Sequence, residues 1–286
     1  MRTTIHSLVQ RATHLISLPT LVIKLNQVIA SPNSTLDEIS QLLQQDPALS
    51  MRLLKIVNSP YYGMTRRVDT IHKAISFVGL RDLRDLVLST SIVHSLKGLR
   101  NPFVTLENFW RHSVFCAVIA RITARLRRES QPERFFIGGL LHDIGSLLLY
   151  QFLPEESARI IQRARNTEVS LALVESDILG WTSADLGADI AKHWNLPASL
   201  EAAIRYHAAP ERAPDFLLEA TTVHVAKHLA NSMDNVSNRL SRIDPINLAH
   251  WDTLKLSPTI LNTSRQEIIS QFEEVSRLIV IDTLAA

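Results

Sequence analysis

Apolar residues recur at helical spacing from one end of this chain to the other, and no alternating strand pattern lasts long enough to compete. The chain has only 8 glycines in 286 residues, against a usual share of roughly 7%. Both features point to an all-α fold and against a turn-rich β architecture. Hydrophobic residues at 46% suffice for a real core and exclude disorder of the whole chain. A net charge of +2 lacks the dense basic excess of a protein that lives on phosphate attraction, so nucleic acid is not an expected partner. The single cysteine, Cys116, excludes a disulfide framework and suits a reducing cytoplasm.

Residues 1–10 read as polar, without the apolar run and small-residue cleavage site of a secretory signal. The most apolar window, residues 135–153, carries His142 and Asp143 at its centre. A charge in mid-bilayer is costly, so this window reads as a helix buried in protein and no membrane span is expected.

Punctuation along the chain divides it into helices. Leu21, Leu25, Val28 and Ile29 share a face of a helix over 21–30, and Thr35 with Glu38 forms a capping box for the next, through residue 45. Asp46-Pro47 supplies an N-cap and a first-turn proline for 47–57. Leu21, Leu25, Leu42, Leu43, Leu53, Leu54 and Ile56 are the expected core of this region. A turn at Asn58-Ser59-Pro60-Tyr61-Tyr62-Gly63 precedes helices ending near Gly79 and Ser95. After Asn101-Pro102, helices are expected over 106–128, 132–152, 154–166, 169–179, 183–194, 197–206 and 216–231. Residues 232–257 then read as a loop, and a last amphipathic helix as 259–284.

The dipeptide His142-Asp143 is the first chemical signal. An adjacent imidazole and carboxylate on an apolar helix are expensive unless paired, hydrogen-bonded or bound to a cation. A buried His–Asp hydrogen bond explains the pair as well as a metal does. His112 lies on the preceding helix, where antiparallel packing would bring it near His142. Cys116 sits on an apolar helix face, without the electropositive setting of a reactive thiol. Arg121, Arg125 and Arg128 share a helix face that reads as solvated. No Gly-rich phosphate loop, GxSxG or CxxC is present.

Together His112 and the His142-Asp143 pair resemble the HD superfamily of metal-dependent phosphohydrolases, and the wider sequence is similar to one branch of it, the HDOD domains. The resemblance is carried by Leu18-Pro19-Thr20-Leu21, Gln45-Asp46-Pro47-Ala48-Leu49, the Asn58–Gly63 turn and Ile71–Leu80. It continues through Phe109-Trp110-Arg111-His112-Ser113, Leu140–Gly145, Trp194-Asn195-Leu196-Pro197 and Ala203–His207. It implies a two-lobed helical domain over residues 18–214, with lobes 18–100 and 101–214, followed by a helical extension over 215–286.

Departures from that pattern bear on function. Where the resemblance implies a final metal-ligating aspartate, this chain has Lys227, and an ammonium repels a divalent ion. Ser183, Ala208 and Ser146 stand where relatives carry two histidines and a lysine. His112, His142, Asp143 and His207 remain as vestigial ligand candidates. The expected function is therefore a non-catalytic bacterial signalling module that works through protein or small-ligand contacts. A divergent metal-dependent phosphohydrolase acting on a nucleotide or cyclic dinucleotide is the alternative. No cofactor is expected, a single weakly held divalent ion being the residual option. Lys227 is expected to fill the vacated metal position and pair with Asp143. Tyr61, Tyr62, Arg66 and Arg67 are the candidate contacts for a protein partner.

Overall fold

The computed structural model describes residues 4–15, 20–31, 34–59, 62, 67–96, 99, 101–233 and 246–278. Seventeen α-helices and no strand occur among them. The chain divides into two packing units, with divisions at 15/16, 97/98 and 268/269.

The smaller unit holds α2 (Thr20–Ala30), α3 (Leu36–Gln44), α4 (Pro47–Val57), α5 (Ile71–Val78) and α6 (Leu80–Ser95). Local chemistry sets these starts. The Thr35 hydroxyl accepts from the Glu38 amide at 3.2 Å while Glu38 accepts from the Thr35 amide at 3.1 Å. Asp46 accepts from the Leu49 amide at 2.9 Å ahead of Pro47. Each contact satisfies an amide that the first helical turn leaves free. The Asn58 side chain then pairs with the Val68 backbone, donating to Val68 O and accepting from Val68 N, both at 2.6 Å. Of the expected core, Leu25, Leu43, Leu53 and Ile56 are buried, while Leu21, Leu42 and Leu54 are half-buried. Ile39, Leu49, Val57 and Ile75 are among the residues buried with them.

The larger unit begins with α1 (Ile5–Leu15), which packs against α12 below. The opening segment, expected to be merely polar, is thus an amphipathic helix that buries Leu8, Val9 and Ala12. The unit continues with α7 (Leu106–Leu126), α8 (Pro132–Leu141), α9 (Ile144–Phe152), α10 (Pro154–Thr167), α11 (Leu171–Leu179), α12 (Ser183–His193), α13 (Ala198–Tyr206) and α14 (Leu217–Met233). Helices α15 (Leu248–Leu254) and α16 (Pro258–Thr263) follow, and α17 (Arg265–Ser276) spans the division at 268/269. Helix α8 packs on α7 and α13, and α14 closes over all three, so the boundary expected at 214/215 falls inside this unit.

Three further expectations change. The helix expected over 132–152 breaks at His142-Asp143, which form a turn between α8 and α9. The loop expected over 232–257 contains α15, capped by Asn247 accepting from His250 N at 3.0 Å. The last helix is two, α16 and α17. The stretch Pro132–Phe152 has the length and hydropathy to cross a membrane, yet 78% of its most apolar window is buried inside the protein, as a core helix would be.

Two glycines permit the packing around the turn. A Cβ at Gly139 would meet Ala117 Cα of α7 at 2.7 Å, and one at Gly145 would collide with Ser183 O of α12. Only hydrogen fits between these backbones.

Candidate functional site

The turn at 142–143 lies where α7, α13 and α14 present their polar residues. His142 Nδ1 lies 2.7 Å from Gly139 O, so it donates there and turns Nε2 towards Asp143 Oδ2, 3.1 Å away. His207, at the end of α13, likewise donates from Nδ1 to Ile204 O at 2.7 Å, which leaves its Nε2 as an acceptor. Lys227 of α14 meets that acceptor: Nζ donates to His207 Nε2 at 3.2 Å and to Asp143 Oδ1 at 2.8 Å. One ammonium therefore ties the carboxylate and the second imidazole together. His112 of α7 stacks beside the group, its ring centroid 5.7 Å from that of His142, and the His142 and His207 rings stand edge-on at 5.1 Å.

Electrostatics follow from burial and this pairing. Burial pushes the Asp143 carboxyl up, but the neighbouring His142, Lys227 and His207 outweigh it and hold the group well below the usual carboxylate range. Burial, reinforced by the Lys227 charge, lowers His207 to about 4. Burial, with His142 as neighbour, lowers His112 to about 3. The ammonium and the carboxylate are each about one-fifth exposed (22% and 20%), so water reaches the pair, which is not the sealed contact of a core.

Two groups have ligand atoms close enough to hold an ion: His142, Asp143 and His207, and separately His112, Cys116 and His142. The family pattern implies a divalent metal at the first. The residues present do not fit it: the lone pairs that would face the ion, on Asp143 and His207, already accept from a cationic nitrogen. A divalent ion could enter only by displacing or deprotonating Lys227.

Beside this site lies a second relay. Glu175, 1% exposed, accepts from Ser183 N at 2.7 Å and Ser183 Oγ at 2.9 Å, and Ser146 Oγ donates to Ser183 Oγ at 3.1 Å. Burial raises the Glu175 carboxyl and the two Ser183 bonds oppose the rise. Sequence reasoning singled out Ser146 and Ser183 only as departures and missed Glu175. It also missed the packed imidazoles of His224, His228 and His250, with centroids 4.7 and 4.4 Å from His224. The face of Arg121, Arg125 and Arg128 is not simply solvated, because Arg121 is buried against Glu133 at 2.6 Å and Arg125 pairs with Glu267 at 2.9 Å. Of the partner-contact candidates, Tyr62 is half-buried and Arg67 exposed, both in the smaller unit. Tyr61 and Arg66 lie outside the described residues.

The HDOD domain profile matches residues 15–210. An uncharacterized protein of Treponema pallidum (strain Nichols) is 31% identical over 213 residues, 73% of this chain and 40% of its own length. YuxH of Bacillus subtilis (strain 168) is 24% identical over 205 residues, 67% of this chain and 48% of its own. The chain thus spans less than half the length of these curated relatives. Among solved structures, an HDOD domain protein of unknown function from Geobacter sulfurreducens gives a TM-score of 0.74 at 22% identity, covering 96% of this chain and 98% of its own. A protein of Shewanella amazonensis SB2B, provisionally named a phosphohydrolase, gives 0.75 at 26% identity with the same coverage. With a profile match over most of its length and an all-helical structure to accompany it, the chain belongs to the HDOD domain family.

Proposed function

We propose that this HDOD domain is a non-catalytic regulatory module of a bacterial signalling pathway, acting through contacts with a protein partner. The observation that carries the reading is the Lys227 ammonium, 2.8 Å from Asp143 Oδ1 and 3.2 Å from His207 Nε2. In metal-dependent hydrolysis a divalent ion acidifies a bound water and neutralises phosphoryl oxygens. Lys227 contributes one positive charge but no open coordination position and no acidified water. The rest of the site supports rigidity: both histidines are locked to backbone carbonyls through Nδ1. The group works as an internal tie between α13, α14 and the turn that follows α8.

The alternative is a divergent phosphohydrolase, favoured by the survival of His112, His142, Asp143 and His207 and by the name given to the Shewanella relative. The test is hydrolysis of cyclic dinucleotides and of a chromogenic phosphodiester by the whole chain, with added manganese or iron. No turnover above the protein-free rate is expected. Turnover abolished by His142→Ala would overturn the proposal. Lys227→Asp should gain manganese affinity by adding a carboxylate to His142, Asp143 and His207, which isothermal titration reads directly.

A further inference from the structure

His142 is oriented as a ligand and lacks a matching donor. Its Nδ1 donates to the Gly139 carbonyl, so in the neutral ring Nε2 carries only a lone pair. That atom is buried, makes no hydrogen bond and faces a carboxylate oxygen, Asp143 Oδ2, at 3.1 Å. Two acceptors thus confront each other, and Lys227 does not relieve them, because its contacts are to Oδ1 and to His207. A carbonyl fixing the far nitrogen of an imidazole is the usual support of a metal-binding histidine.

Close to His142, α7 presents His112 and Cys116 one turn apart on the same face. Cys116 Sγ lies 3.5 Å from His112 Nε2, and one ligand atom from each of His112, Cys116 and His142 lies within 4.8 Å of the others. In tetrahedral zinc, with Zn–N of about 2.0–2.1 Å and Zn–S of about 2.3 Å, a nitrogen–sulfur edge measures about 3.6 Å. The α7 pair already has that spacing, and the remaining edges need to close by up to about 1.5 Å.

We propose that His112, Cys116 and His142 form a binding site for a thiophilic cation of the zinc class, distinct from the group that Lys227 ties together. One thiolate and two imidazoles select zinc or copper(I) over magnesium or manganese, the reverse of a carboxylate-rich hydrolase centre. Binding expels the thiol proton to solvent, so zinc adds one net positive charge to the site, with Asp143 beside it. Cys116 and His142 are sealed from water, and the less buried His112 marks the side of entry. The site does not depend on whether the domain hydrolyses anything.

Cobalt(II) is the probe. Whole chain stripped with chelator is titrated with cobalt and then with zinc. One-to-one binding is expected, with a thiolate-to-cobalt charge-transfer band that zinc abolishes. Cys116 is the only cysteine in the chain, so the band can arise nowhere else. Cys116→Ser should remove the band. His112→Gln should weaken cobalt binding by more than the roughly 10–100-fold that losing an outer-shell partner costs. Lys227→Met should retain it. Circular dichroism of the apo variants separates lost ligation from lost folding, and His112→Gln, which keeps a polar group on the half-buried side, serves if Cys116→Ser does not fold. Absence of the band in the wild type, or cobalt binding unchanged by Cys116→Ser, overturns the proposal. Neither result bears on the phosphodiesterase assay.

Discussion

Lys227→Met removes the ammonium and keeps a stem of similar length, which isolates the charge. The variant leaves the Asp143 carboxylate with imidazoles alone as close partners, and leaves His207 Nε2, whose proton sits on Nδ1, without a donor. Breaking a sealed ion pair costs about 3–5 kcal/mol and an exposed one about 0–1 kcal/mol. With Lys227 and Asp143 22% and 20% exposed, the expected cost lies between, at about 2–3 kcal/mol. At roughly 2–4 °C per kcal/mol for a unit of this size, the melting midpoint should fall by about 4–12 °C. Calorimetry at pH 7 measures it. Adding Asp143→Asn to Lys227→Met removes the stranded charge, so the double variant should lose less than the sum of the singles. Burial pushes Asp143 up, and His142 and Lys227 pull it further down, so its folded value lies below the unfolded value. Its stabilisation is therefore full above the unfolded value of about 3.9 and drains as pH falls through the folded one. The gap between wild type and Lys227→Met should persist at neutral pH and narrow below about pH 4. An unchanged midpoint at pH 7, or strictly additive single variants, would refute the reasoning.

Gly145→Ala should destabilise the larger unit by about 3 kcal/mol or more, since the new methyl meets the backbone of α12 rather than a movable side chain; urea denaturation gives the number. Glu133→Gln deprives the buried Arg121 guanidinium of its carboxylate at 2.6 Å and should cost about 3–5 kcal/mol in the same assay, whereas replacing both residues with apolar ones should cost less. Burial lowers His224 to about 3, so the unfolded chain binds the extra proton first, and stability falls as pH drops from about 6.5 towards 3. His224→Gln should flatten that fall by up to about 1.4 kcal/mol per pH unit; a slope unchanged from wild type in acid titration would count against it.

The features legible from chain neighbours are local. Thr35 with Glu38, Asp46 before Pro47 and Thr70 before Ile71 act within one helical turn, so the starts of α3, α4 and α5 could be read from neighbours alone. The cost of burying His142 beside Asp143 was equally plain from the apolar run around them. The break between α8 and α9 was not, because His142 keeps helical angles (φ −54°, ψ −36°) and apolar periodicity runs straight through it. Helix α15 announces itself only by Asn247 three residues before His250, with histidine where a capping box usually has Glu or Gln. The site itself arises from long-range packing. Asp143 and Lys227 are 84 positions apart, and their contact exists because α14 packs against α7, α8 and α13 with Lys227 facing the turn after α8. Glu175 reaches Ser183 across the α11–α12 turn, and His112 with Cys116 comes up against His142 only when α8 lies on α7. Capping and periodicity are satisfied within about four residues, whereas which polar groups share a buried space depends on how helices far apart in sequence pack together.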